Sequence, residues 1–227
     1  MVNVILGIFL LAGNLTAEKT LEQADAFRSP QGSFEARVEV VDRDGSSSKF
    51  KVYIEGNDRS MIVTEAPARD VGRNMLMVDR DMWMFMPSIK RAVRIALRQR
   101  LMGQVAQGDI SRMKWKDDYH AKFIEGQSVL LLTAKKSDLT YDQIKLSVNP
   151  KDNRPLRAEF QTKLGKTLKV ATFEDFGILA GRERVQKIRI QDALKDSETS
   201  EIRILEMKES KFPTGFFSQT NLSNPRK

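Results

Sequence analysis

From Ser33 onward the chain alternates. Phe34, Ala36, Val38 and Val40 are apolar and Glu35, Arg37 and Glu39 are charged, the two-residue period of a strand with one buried face. Asp44-Gly45 predicts a turn, and Phe50, Val52 and Ile54 repeat the period on the return, making a hairpin. Similar patterns predict strands at Arg59–Glu65, Asn74–Asp79, Met82–Met86, Ala121–Glu125, Val129–Lys135, Gln143–Val148, Leu156–Lys163, Thr167–Phe173, Arg184–Asp192 and Ser200–Glu209. Turn signals such as Asp79-Arg80-Asp81, Gly126-Gln127, Asn149-Pro150 and Leu164-Gly165-Lys166 separate them. Short strands joined by hairpin turns predict a mainly β chain, an antiparallel sheet or barrel, and not a series of crossover units. Ahead of the strands, Glu18–Arg28 carries helix formers with Leu21 and Ala24 spaced for one face, and Ser29-Pro30-Gln31-Gly32 stops it. Lys90–Lys116 lacks sustained alternation. It is expected as loops and short helices crossing one mouth of the sheet, and such excursions in compact domains are usually functional or mobile.

One pair of strands departs from simple alternation. The stretch NMLMVDRDMWMFMPS holds Met75, Met77, Met82, Met84 and Met86, half of the ten methionines. Met82, Met84 and Met86 share one strand face, while Trp83 and Phe85 take the other. A strand apolar on both faces must be covered on both sides. One side can meet a packed cover and the other an apolar cavity, whose irregular shape suits the flexible, polarisable thioether. These seven residues are the candidate cavity wall. The bland alternative is an ordinary central core strand.

Composition narrows the chemistry. Without cysteine there is no disulfide, no thiolate metal site and no cysteine nucleophile or lipid-modified anchor within the sequence. With His120 as the single histidine, imidazole-based acid–base and metal chemistry has little to work with. Asp109, Asp117 and Asp118 near His120 match no metal or hydrolytic spacing and read as a loop pinned to backbone amides. No nucleophile elbow, zincin helix, Walker loop or dinucleotide fingerprint occurs, so no catalytic residue, no metal and no cofactor is expected. The net charge of +8 favours acidic partners. Its densest cluster is Arg91, Arg94, Arg98 and Arg100 with Lys90, a candidate rim for phosphate or carboxylate groups or a plain solvated face. Nucleic acid is not expected as a partner, because exposed stacking aromatics do not accompany the cluster.

At the N-terminus, Val2–Thr16 is a short apolar run followed by Ala17, Glu18 and Lys19. It falls short of the about 20 residues a membrane span needs. Residues 1–17 are read as a signal peptide, with a buried N-terminal helix as the alternative, leaving 18–227 as one domain.

Larger blocks are recognisable as words. AFRSPQGSFEARVEVVDRDG, EAPARDVGRNMLMVDRDMWMFMPSIKRAVRI, RLMGQVAQGDI, KWKDDYHAKF, LLLTAKKSDLTYDQIKLSVNPKDNRPLRAEFQTKLGKTLKVATFEDF and TGFFSQTNL together resemble the outer-membrane lipoprotein-sorting superfamily of LolA-like proteins. The resemblance runs from about Ala24 to Leu222. It implies a half-open antiparallel β-barrel of about eleven strands, with a helical lid over an apolar concavity. It also implies a non-enzymatic periplasmic carrier, not lipid-anchored, that buries a lipid, an acyl chain or part of a lipoprotein and has an inner-membrane transporter as docking partner. The cargo stays open between a lipoprotein, a free lipid and a hopanoid-like molecule. A different class of reading is an envelope protein-interaction module, accessory to a transporter or sensor, binding through a sheet edge or the basic rim. The carrier reading expects a hollow apolar trough inside the sheet, not one filled by the protein's own side chains.

Overall fold

The computed structural model describes residues 17–96, 104–111, 113–125, 127–137, 139–195 and 198–225, with the backbone alone for residues 100–102 and 107. The run at residues 1–16, read as most of a signal peptide, lies outside these residues.

A helix, α1, covers residues 17–26. Leu21 and Ala24 on its predicted face are wholly buried, and so is Ala17 at its start. The meander that follows is β1 (Phe34–Asp42), β2 (Ser47–Glu55), β3 (Arg59–Ala66), β4 (Met75–Val78), β5 (Asp81–Met86) and β6 (Arg91–Ile95). A small hairpin, β7 (Arg100–Met102) and β8 (Val105–Ala106), and a short helix α2 (Gln107–Ser111) come next. Then follow β9 (Tyr119–Phe123), β10 (Val129–Ala134), β11 (Gln143–Val148), β12 (Pro155–Gln161), β13 (Thr167–Leu179), β14 (Arg182–Asp192), β15 (Thr199–Glu209) and α3 (Gln219–Leu222). Thirteen strands form one antiparallel sheet in the order β6-β5-β4-β3-β2-β1-β15-β14-β13-β12-β11-β10-β9, so the two halves of the chain join through β1 and β15. The ends β6 and β9 do not pair, which leaves a half-open barrel.

The alternation decides the faces. Phe34, Ala36 and Val38 of β1 stand opposite Ile54, Val52 and Phe50 of β2 and belong to the main core under α1. Outward from the same sheet, Glu39, Arg203, Glu201, Arg189 and Glu174 form a chain of partly exposed ion pairs. Such pairs contribute little stability singly but keep that face in water. The other side of β2–β5 is different. Tyr53, Met61, Leu76 and Trp83 form a row across four strands, each opposite the next. The C-terminal segment covers this row, with Phe216 and Leu222 fully packed and Phe212 and Phe217 beside them. Tyr53 meets Phe216 edge-on at 5.0 Å, and Asn74 donates its side-chain amide to the Leu222 carbonyl at 3.0 Å.

Three sequence readings need correction. The stretch Lys90–Lys116 contains a full sheet strand, β6, as well as the β7–β8 hairpin and α2. As a one-sided edge strand, β6 leaves Arg91, Val93 and Arg94 exposed, and the buried alternation that marks a strand never appears. Strand β13 runs on to Leu179, past Asp175 at φ 50°, where one residue on each strand goes unpaired while the register to β14 is kept. The sheet has thirteen strands where the resemblance implied about eleven.

Candidate functional site

The concave face of the sheet is lined by apolar side chains, and the protein covers it with its own chain. α1 lies against it, as do Val105, Ile110, Met113 and Trp115 from the segment between β7 and β9. What remains is a chamber of about 40 Å³. Phe160, Ala171, Phe173, Ile188, Ile190 and Ile202 of β12–β15 line it, together with Arg28, Asp109, Trp115, Tyr119 and Tyr141. Ligand pockets run to about 300–1,000 Å³. The open trough expected from sequence is therefore filled in this state. The cause is the size of the apolar wall, which would otherwise stand in water as a patch larger than soluble proteins tolerate.

The cover is held by a few polar anchors. Asp25, buried on α1, accepts from the backbone N–H of Trp115 at 2.7 Å and of Lys116 at 2.8 Å, and from the Arg28 guanidinium at 3.0 Å. That guanidinium lies 3.5 Å over the Trp115 ring. Burial pushes the Asp25 carboxyl up to about 6, against the pull of Arg28 and the two amides. Asp109 accepts from the Ala106 N–H at 2.7 Å and the Tyr141 hydroxyl at 2.8 Å, and burial raises its pKa against the pull of Lys169. Glu18 accepts from Ala121 N–H at 2.9 Å, tying α1 to β9. Gln104 donates its backbone N–H to Ser200 Oγ at 2.8 Å, and its side-chain amide to Glu198 at 3.0 Å.

The structure scatters the residues singled out from sequence. Met75, Met77 and Met82 are buried in the main core, and Met84 is half-buried against it. Trp83 and Phe85 lie on the opposite face under the C-terminal segment. Met86 is half-buried, opposite Arg91. None of the seven lines the chamber. Arg91 pairs across from Met86 and Arg94 from Trp83, so the two arginines leave opposite faces of β6 and do not converge. Arg94 is ion-paired to Asp81. Arg98 lies outside the described residues, and of Arg100 only the backbone in β7 is described. Asp109 serves as a loop pin; Asp118 accepts from Asn57 at 3.3 Å, while His120 is exposed. Sequence reasoning missed Arg28 and the Asp25 anchor. The available signal was an acid and a base three apart at the end of an otherwise apolar helix face, which reads equally well as a solvated pair.

Among the described residues there is no cluster of three or more metal-ligating side chains, and no helix is long and apolar enough to cross a membrane.

Comparisons with known proteins fit this architecture. A family model described only as an uncharacterized protein matches residues 56–224. No protein of curated function matches the sequence. A LolA superfamily protein of Nitrosomonas europaea superposes with a TM-score of 0.82 at 35% identity, covering 90% of this chain and 98% of its own. An outer-membrane lipoprotein-sorting protein domain of Vibrio parahaemolyticus (TM-score 0.73, 17% identity, 93% and 100% covered) shares the fold. A DUF1329 family protein of Desulfovibrio piger does so as well (0.76, 20%, 92% and 99%). On the sheet, its inner helix and this match over nearly the whole length, the chain belongs to the LolA superfamily.

Proposed function

We propose that the protein is a non-enzymatic carrier of the bacterial envelope. It takes the acyl chains of a lipid or lipoprotein against the concave face of the sheet after its cover swings away. One observation carries this reading. The largest apolar surface in the molecule is closed not by a second sheet layer but by two short pieces of chain, α1 and the segment 104–118. A handful of bonds hold them, Gln104 to Ser200, Glu18 to Ala121 and the Lys135 N–H to the Asp118 carbonyl, with no ladder to the sheet among the described residues. The closed interface also carries unmet hydrogen bonds. Arg28 Nε, Gln104 Oε1 and Ser111 Oγ are buried without partners among the described residues. Each such group costs about 1–3 kcal/mol, so the closed state is poised to yield. An acyl chain gains about 0.8 kcal/mol per methylene buried, enough over ten methylenes to offset several anchors.

Family membership supports the same class of function, as does the description of the Vibrio parahaemolyticus relative as lipoprotein-sorting. Under this reading residues 1–17 direct export, 18–227 form the periplasmic half-barrel, and an inner-membrane transporter supplies the cargo. Met84 and Met86, half-buried near the open edge of the sheet, extend the wall along which a chain slides in.

The test uses the cysteine-free background. Gln104→Cys with Ser200→Cys places two thiols where the cover meets β15. Saturable binding of a fluorescent fatty acid is expected when the pair is reduced and its loss when the pair is oxidised. Equal binding in both states, or binding in neither, refutes uptake beneath the cover. A chain that captures only a protein partner leaves the interaction-module reading in its place.

A further inference from the structure

We propose that the cleft at the opposite end of β15 from the Gln104 anchor binds a phosphate group. Ser200, which holds the cover, and Glu209, which borders the cleft, are nine residues apart on one strand, about 30 Å at strand rise. The cleft has a volume of about 540 Å³ and is framed by the loop after α1, the β13–β14 turn and the chain leaving β15.

Its charge is unbalanced. Arg182, Arg184 and Lys211 face it, with Glu209 as the one acid among its lining residues. Arg184 is 3% exposed, yet makes no ion pair among the described residues. Its Nη1 donates to the carbonyls of Leu179 and Ala180, closing the β13–β14 turn, and its Nε has no acceptor among the described residues. A buried guanidinium without a counterion is costly, and buried charges are as a rule paired. Burial, first, and the like charge of Arg182 lower its pKa, and Glu209 on the same cleft offsets them only in part. Ser29, 1% exposed on the same cleft, has a hydroxyl with no partner. A guanidinium Nε–H, a free hydroxyl and two flexible cations around a space large enough for a tetrahedral anion make a phosphate site. A single acid, Glu209, against three cations leaves room for an anionic ligand. A free phosphate ester and a phospholipid headgroup present the same chemistry here.

The test titrates the whole chain with inorganic phosphate at constant ionic strength, following the Arg184 Nε–H resonance. A saturable downfield shift is expected. Arg182→Gln and Lys211→Gln, neither of which removes a bond to the turn carbonyls among the described residues, each weaken binding about 10- to 100-fold, as the loss of a charge-assisted hydrogen bond requires. Arg184→Gln abolishes it if that variant folds. A second arm uses dihexanoyl phosphatidic acid below its micelle concentration. Binding about tenfold tighter than inorganic phosphate identifies a lipid headgroup as the source, and equal affinity identifies a free phosphate. Absence of saturable binding, or affinities unchanged in Arg182→Gln and Lys211→Gln, overturns the site. Neither result touches the fatty-acid experiment, which reads the cover at the other end.

Discussion

At the scale of single residues, the interior is governed by two acids, the buried Asp25 and the half-buried Asp109. Asp25 titrates near 6 in the closed protein against an ordinary 3.8, so the closed state binds protons that an open, solvated Asp25 does not. Closure is therefore strongest below about pH 4 and weakens as pH rises through 6, a swing of up to about 3 kcal/mol. Asp109 is shifted the same way and adds to the trend. Urea midpoints measured between pH 4 and 7 are expected to fall with pH, and Asp25→Asn to flatten much of that slope. Arg28→Met leaves the Asp25 carboxylate buried without its cation and is expected to destabilise by about 3–5 kcal/mol at pH 7. The loss shrinks toward pH 5 as the acid takes up its proton. Gly108 makes a third prediction. A Cβ there meets the Thr140 hydroxyl, so Gly108→Ala is expected to push α2 off its seat at a cost of about 1–3 kcal/mol. Unchanged thermal stability in Gly108→Ala would show that α2 is not seated there.

At the scale of elements, the methionine-rich β4–β5 pair shows how far pattern reaches. That both of its faces must be covered follows from Met82-Trp83-Met84-Phe85-Met86 alone. What covers them does not, because the outer cover comes from Phe212, Phe216 and Phe217, more than a hundred residues downstream. That segment is expected to be structural: Phe216→Ala should lower stability by about 3–4 kcal/mol, with the largest loss of tryptophan-reported packing at Trp83. Strand β6 marks the opposite limit. Its Arg91-Ala92-Val93-Arg94-Ile95 has too little buried surface to announce a strand, and only pairing with β5 makes it one.

At the scale of the whole molecule, the sheet has two unpaired edges and a filled concavity, so any cargo must replace part of the protein's own core. Hydrogen exchange distinguishes replacement from surface binding. The amides of Trp115 and Lys116, capped by Asp25, are expected to be slow in the free protein and to speed up when fatty acid is bound, while the β1–β15 amides stay protected. Unchanged protection at Trp115 and Lys116 on saturation would place the ligand elsewhere.

The sequence by itself determined the meander. Period-two alternation and turn residues are local properties, so strands such as Gln143–Val148, the hairpin at Asp44-Gly45 and the buried face of α1 can be read without knowing their neighbours. Only the tertiary structure decided which face is concave and that α1 and Trp115 fill it. It alone sent Arg91 and Arg94 to opposite sides and buried Arg184 without an ion pair among the described residues. Each of these depends on segments distant in the chain meeting in space. Side-chain pattern records that a surface must be buried; it does not record what buries it.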